Sequence, residues 1–355
     1  MKRKFPRLVA SSAAVITVAV LLAACSSGTP ASKTTASASS GPNLSGTSLT
    51  WYSTIQAQDA QPIIDAFKAK TGVTVNLYTA ATPDLFQKFE QEEASGRHTA
   101  SVFSTTNGTN VRAATDEGYF SPLPASIAKT FPKADIDPAN KWFATRVTVM
   151  AFAYNSQLVT GSNVPKTWTD LLKPYWKGKL NITDPQLTTT GYFIDWQLSQ
   201  AKGLGLSFLK KLGAQKPAIV AHSGQQVNNV IAGDEYAAIT SDDAVWPEIA
   251  TGAPIKMVYP SKGVGDYTDY NSLVKGGPNQ AGAKAFLEFL ASETTGKLFA
   301  AGGAYSPLPS VAAAPAGRPA LKSLNLFPAD TIKALDVQTQ FLNQLQQYGL
   351  ATTTQ

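Results

Sequence analysis

The side chains able to do chemistry in this sequence sit in short loops rich in hydroxyls. Ser53-Thr54, Ser104-Thr105-Thr106-Asn107, Thr188-Thr189-Thr190-Gly191-Tyr192 and His222-Ser223-Gly224-Gln225 each follow a strand-like run or open a helix-like one. A helix start leaves backbone N–H groups unpaired and carries partial positive charge, so hydroxyls beside it suit the oxygens of an anion. Ser, Thr and Asn also cap helices on their own account, and both roles stand for each loop. Asp242-Asp243 follows the apolar run 237–241. Carboxylates there either pair an ammonium or amidinium group or cap a helix over 244–249.

Covalent chemistry is the weaker alternative. Ser126-Ile127-Ala128-Lys129 and Ser207-Phe208-Leu209-Lys210 fit S-x-x-K, Ser241-Asp242-Asp243 is near S-D-N, and Lys70-Thr71-Gly72 is K-T-G. Serine penicillin-recognising enzymes carry these motifs in the order S-x-x-K, S-D-N, K-T-G. Here K-T-G comes first, at the end of a helical pattern, and no G-x-S-x-G elbow surrounds Ser223. His98 and His222 are the only histidines, and neither has a Cys, His or clustered carboxylate at metal spacing. The expectation is a protein without enzymatic activity, resident metal or cofactor.

The elements that would position these loops alternate. Residues 49–52, 73–78 and 100–103 read as strands, and 60–70 and 83–95 as amphipathic helices, with Ile63, Ile64 and Phe67 on one face. The run 147–154 is apolar enough for a buried strand. Further strands are expected at 179–183, 218–221, 237–241 and 255–259, and helices at 191–201, 206–212, 223–232 and 281–291. One long helix is expected over 330–348. β-α-β alternation implies mostly parallel sheets covered by helices, and about 300 residues suit two lobes rather than one core.

The N-terminus is separate from all of this. Lys2, Arg3, Lys4 and Arg7 precede an apolar run that ends in Leu22-Ala23-Ala24-Cys25, which is the n-region and h-region of an export signal over 1–24. The ending resembles a bacterial lipobox. That resemblance implies cleavage before Cys25, a diacylglyceryl thioether and palmitate on it, and anchorage to the outer face of the cytoplasmic membrane. Cys25 is the only cysteine, so no internal disulfide is available. Residues 25–47 are almost all Ser, Thr, Ala, Gly and Pro, the composition of a flexible tether. Four of the six net positive charges leave with the signal, and no basic run with interleaved aromatics remains to bind nucleic acid.

The order of several segments resembles the solute-binding proteins of bacterial ABC importers. It is most similar to the branch of ferric-iron, 2-aminoethylphosphonate, thiamine and polyamine binders. The segments are Trp51-Tyr52-Ser53, Phe67 to Val75, Ala153-Tyr154-Asn155-Ser156, Pro165-Lys166-Thr167-Trp168, Trp176 to Leu180, Thr183-Asp184-Pro185, Thr190-Gly191-Tyr192, Tyr259 to Gly263 and Lys284 to Ser292. The resemblance implies an α/β, type II periplasmic-binding-protein fold: a first lobe from 48–153 and 260–355, the latter including the C-terminal helix, and a second from 154–259. Two crossings near 149–154 and 257–263 would join them, with ligand bound by cleft closure. It also implies a likeness of role: a monomer that takes a small solute to a permease and its ATPase subunit. The residues then expected at the cleft are Ser53, Thr54, Thr106, Asn107, Tyr154, Thr189, Thr190, Gly191, Tyr192, Ser223, Asp242 and Asp243, with Tyr267 and Tyr270 from a loop after the second crossing. Iron binders of the branch carry adjacent tyrosines where Asp242-Asp243 stands here. This favours an aminophosphonate or other zwitterion, with a ferric complex as the alternative.

Overall fold

Alternation of apolar strands with amphipathic helices builds the first part of a sheet. The computed structural model describes residues 43–313, 315–328 and 331–352. In it, β1 (Ser48–Ser53), β2 (Thr74–Thr79) and β3 (Val102–Thr105) run parallel, joined by α1 (Ala57–Thr71) and α2 (Thr82–Ala94). Helix α1 buries Ala60, Ile63, Ile64 and Phe67, the three- and four-residue spacing of one helix face. It stops at Gly72, whose left-handed φ of 73° closes the last turn. Next come α3 (Gly108–Asp116), β4 (Phe120–Ser121), α4 (Ala125–Thr130) and β5 (Trp142–Asn155).

Beyond β5 lie β6 (Leu180–Thr183), α5 (Thr189–Gln200), α6 (Gly205–Gly213), β7 (Ala218–Val220), α7 (Ser223–Ala232), β8 (Ala237–Ser241), α8 (Asp242–Ala250), β9 (Ile255–Val258) and β10 (Gly265–Val274). Helices α9 (Gln280–Leu290), α10 (Glu293–Ala301), α11 (Thr331–Asp336) and α12 (Gln338–Tyr348) complete the described elements. The strand order is β2-β1-β3-β10-β5-β8-β6-β7, with β4 added on β10 and β9 on β5.

β5 is the strand that both lobes share. Its first part pairs antiparallel with β10, and from Met150 onward it pairs with β8 and β9. Apolar cores gather on either side of this change of partner. One side packs Trp51, Phe67 and Phe286, next to the ring group of Phe89, Phe103 and Phe120. The other packs Phe152, Trp168, Trp176 and Phe208. A buried ring contributes about 1.5–3 kcal/mol relative to exposure, so each lobe has its own source of stability. The fold is α/β with lobes flanked by helices, as the alternation implied, but the sheet is mixed rather than mostly parallel: β1 to β3 and β6 to β8 pair in parallel, while β5 and β10 run antiparallel to each of their neighbours.

Three details differ from the sequence reading. Residues 265–274 form a central strand rather than a loop, so Tyr267 and Tyr270 stand on β10. The polar Asp269 and Asn271 interrupt the apolar pattern that marks such strands. Next, the expected helix over 330–348 is two helices, α11 and α12, interrupted at Val337. Helix α12 packs on the second lobe, with Phe341 5.3 Å from Trp196, and α11 lies against both α3 of the first lobe and α5 of the second, so the chain crosses between lobes a third time. Lastly, residues 43–47 are docked on the first lobe rather than continuing a tether. Gly46 N–H donates to Gly72 O at 3.1 Å, Asn279 donates to the Thr47 hydroxyl at 3.0 Å, and Leu44 packs on the core. The signal segment, Cys25 and the rest of the tether lie outside the described residues. Among the described residues, no helix is long and apolar enough to cross a membrane.

Candidate functional site

The N-terminal ends of α1, α2, α3, α5, α7 and α8 converge, with β5 and β10, on one cleft of about 1230 Å³. The sequence dictates these ends locally. Asn107 caps α3 by accepting from Asn110 N–H at 3.0 Å, and Thr188 caps α5 by accepting from Gly191 N–H at 3.0 Å. His222 Nδ1 accepts from Gln225 N–H at 3.3 Å and caps α7. Thr54 and Thr106 are tied together, the Thr54 hydroxyl accepting from Thr106 N–H at 3.3 Å. With the caps thus occupied, the hydroxyls of Thr106, Thr189 and Ser223 line the cleft without a hydrogen-bond partner in the described structure.

The expected site residues separate into two groups. Thr54, Thr106, Asn107, Thr189, Thr190, Tyr192, Ser223, Asp243 and Tyr267 line the cleft. Thr190 and Tyr267 meet across it, hydroxyl to hydroxyl at 3.4 Å, and burial, with Asp243 adding to it, pushes the Tyr267 phenol up to about 12. Tyr192 reaches the cleft wall, but its hydroxyl donates to the Ala334 carbonyl.

Ser53, Tyr154, Gly191, Asp242 and Tyr270 do not line the cleft. Ser53 is buried and accepts from Ile55 N–H. Tyr154 is part of the second lobe's core. Gly191 is packed against the end of β6. Tyr270 stands edge-on to Trp142, with centroids 5.0 Å apart. Asp242 is wholly buried and neither caps α8 nor meets solvent. Arg318 holds it from two nitrogens, at 2.7 and 3.2 Å, and Tyr259 donates to it at 2.8 Å.

Of the charged centre, only Asp243 was expected from the sequence. Arg146 projects from β5 between Asp243, 3.1 Å away, and Asp269, 3.6 Å away. Asp59, in the first turn of α1, lines the same cleft. Burial works against the Arg146 charge, but Asp269 and Asp243 outweigh it and hold the guanidinium above its ordinary range. Burial pushes the Asp269 carboxyl up, against the pull of Arg146. Asp59 is reached by water, yet the surrounding walls also push its carboxyl up. The only sequence signal was a lone charged residue, Arg146, in a strand of otherwise uncharged side chains. Among the described residues no group of three or more His, Cys, Asp or Glu side chains is arranged to hold a metal ion.

A second feature lies at the junction of the lobes. The return crossing into β10 is clamped by Gln197 of α5, which donates to Asp266 O at 2.8 Å and accepts from Asp266 N–H at 2.9 Å. Gly265 has no room for a Cβ, which would lie 2.5 Å from Gln197 Oε1. Because Gly265 pairs with Met150, this clamp sits where β5 changes partner.

A cleft between lobes that share crossing strands, lined by helix N-termini, defines a ligand-capturing protein of the type II periplasmic-binding fold. The chain belongs to the bacterial extracellular solute-binding protein family, whose pattern matches residues 62–329. Such a chain is the solute-binding component of an ABC importer. It is 26% identical over 300 residues to Iron uptake protein A1 of Synechocystis sp., covering 78% of this chain and 81% of the relative. It is 25% identical over 294 residues to the spermidine/putrescine-binding periplasmic protein of Escherichia coli, covering 76% and 81%. In structure it is similar to iron-bound HitA from Pseudomonas aeruginosa, with TM-score 0.71, 20% identity and coverage of 85% and 99%. It is equally similar to AfuA from Actinobacillus pleuropneumoniae with fructose-6-phosphate bound, with TM-score 0.71, 22% identity and coverage of 84% and 98%.

Proposed function

We propose that the protein captures a small zwitterion, with an ammonium or amidinium at one end and a phosphonate or similar anion at the other. The carrying observation is the division of charge in the cleft. Asp59, Asp243 and Asp269 outnumber the single guanidinium of Arg146 around the crossing strands. Elsewhere the cleft offers helix N-termini and the unpartnered hydroxyls of Thr106, Thr189 and Ser223. The first group suits a cation and the second an anion. Closure follows from contacts that one ligand makes to both lobes at once. The loaded form is then read by a membrane permease, and the energy comes from its ATPase subunit, so this chain itself performs no catalysis.

Thermal unfolding in the presence of 2-aminoethylphosphonate, spermidine, thiamine, fructose 6-phosphate and ferric citrate tests this. The aminophosphonate is expected to raise the midpoint, since ligand at about 100 times its Kd adds about 2.7 kcal/mol. A rise with ferric citrate alone, accompanied by a coloured phenolate complex, would instead establish the iron reading that the relatives' names raise.

The same proposal includes the lipid anchor on Cys25, because a tethered collector stays near its permease. Cys25→Ser in the expressing cell is expected to move most of the protein from the membrane fraction to the soluble exported fraction. An unchanged distribution would remove the anchor.

A further inference from the structure

We propose that Arg146 sets the charge selectivity of the cleft. It occupies the space between carboxylates as an internal cation, so that the site disfavours polycations and bare metal ions relative to a singly charged head. This rests on reading that end of the cleft as cation-binding, and it assigns the discrimination to one residue.

The placement of Arg146 is fixed by the sheet. It pairs in register with Asp269 on β10, and its carbonyl accepts from the Thr268 hydroxyl at 2.8 Å. Its two terminal nitrogens are directed at carboxylates from different places, Nη1 to Asp269 on the strand and Nη2 to Asp243 at the start of α8. Thr148 also donates to Asp243, at 3.4 Å. The side chains of Arg146, Asp243 and Asp269 are only 16%, 13% and 11% exposed, so their interaction is weakly screened. A lone arginine in a cleft is often the hand that holds a ligand anion. Here an anion placed against the guanidinium would also meet Asp59, Asp243 and Asp269. The arginine is better matched to lowering the site's negative charge by one. Without it the three carboxylates would be left without an opposing charge and would favour a ligand of higher charge.

The test uses the exported chain, wild type, Arg146→Gln, Arg146→Lys and Asp269→Asn. Two sets of probes are titrated: terbium(III) alone, read by luminescence, and the amines butylamine, putrescine and spermidine, read by calorimetry. Arg146→Gln is expected to bind terbium at least about 10-fold tighter than wild type, and to shift the spermidine-to-butylamine affinity ratio upward by a similar factor. Arg146→Lys, which keeps the charge, should stay near wild type. Asp269→Asn, which removes one negative charge and leaves the arginine, should shift both readings the other way. This variant keeps the proposal exposed if Arg146→Gln does not fold. Equal terbium affinity in wild type and Arg146→Gln, or no change of either reading in Asp269→Asn, overturns it. Loss of aminophosphonate binding in Arg146→Gln with the amine ratio unmoved overturns it too, in favour of direct anion contact. If wild type binds none of the amines while Arg146→Gln still gains terbium, the ligand reading fails and the role of Arg146 stands.

Discussion

Replacing Arg318 with methionine is expected to lower the unfolding free energy by about 3–5 kcal/mol, the cost of stranding a buried charge. The Asp242 and Arg318 side chains are both 0% exposed. Arg318 also lies over the Tyr305 ring, 3.7 Å from its centroid, and donates to Gly303 O, while Trp246 donates to Tyr259 and Tyr259 to Asp242. The network joins the start of α8 to the segment that makes the third crossing, since Tyr305 also bridges Val147 on β5. The loss should depend on pH. Burial already pushes the Asp242 carboxyl up to about 6 despite the pull of Arg318, and without Arg318 it rises further. A raised folded pKa stabilises below the unfolded value, near 3.8, and that stability is lost as pH rises through the folded value. The variant should therefore be closer to wild type at pH 5 than at pH 8 in urea unfolding. An Asp242→Leu, Arg318→Met double variant should recover most of the loss, because no charge is then left buried. A pH-independent deficit equal in single and double variants would mean that the residues matter by shape alone.

How much of this was readable from sequence follows from how far apart the partners lie. The hydroxyl loops were legible because capping is local: Thr188 and Asn107 bond to N–H groups three residues on. Helix α1 was legible because its apolar spacing and Gly72 both point the same way. Arg146 and Asp243 are 97 residues apart in sequence, and Asp242 and Arg318 are 76 apart. No pattern within a window joins such pairs. The adjacent aspartates looked equivalent, yet the first turn of α8 sends Asp242 into the protein and Asp243 into the cleft. Strand β10 was hidden because its polar residues are satisfied by neighbours that only the sheet supplies. Asn271, for instance, donates to Thr145 at 2.8 Å and accepts from Ser104 at 2.7 Å. Arg318 lies in a Pro-, Gly- and Ala-rich stretch that carries no periodic signal at all. Local chemistry thus marks where an anion can bind, while the charge balance of the cleft depends on topology.

Gly191→Ala is the substitution within reach of the cleft with the largest expected effect on binding. A Cβ at Gly191 would lie 2.8 Å from the Thr183 carbonyl oxygen and from its hydroxyl, and 2.9 Å from the Thr188 hydroxyl. The first of these is backbone at the end of β6 and cannot swing away, so the start of α5 must move instead. Overpacking of this kind costs about 1–3 kcal/mol. The displaced atoms include the Gly191 N–H that Thr188 caps and the neighbouring Thr189 and Thr190 that line the cleft. If this helix end receives the ligand's anion, the variant should bind an aminophosphonate about 10- to 100-fold more weakly, each 1.4 kcal/mol being tenfold, and melt at a lower temperature. Thr189→Ala separates the two effects. Its hydroxyl has no protein partner in the described structure, so removing it should weaken binding and leave the melting temperature of the empty protein within error. Calorimetry and thermal unfolding on both variants give the answer. Wild-type affinity in Gly191→Ala, despite a lowered melting temperature, would place the anion elsewhere in the cleft, with the starts of α3 and α7 as the remaining candidates.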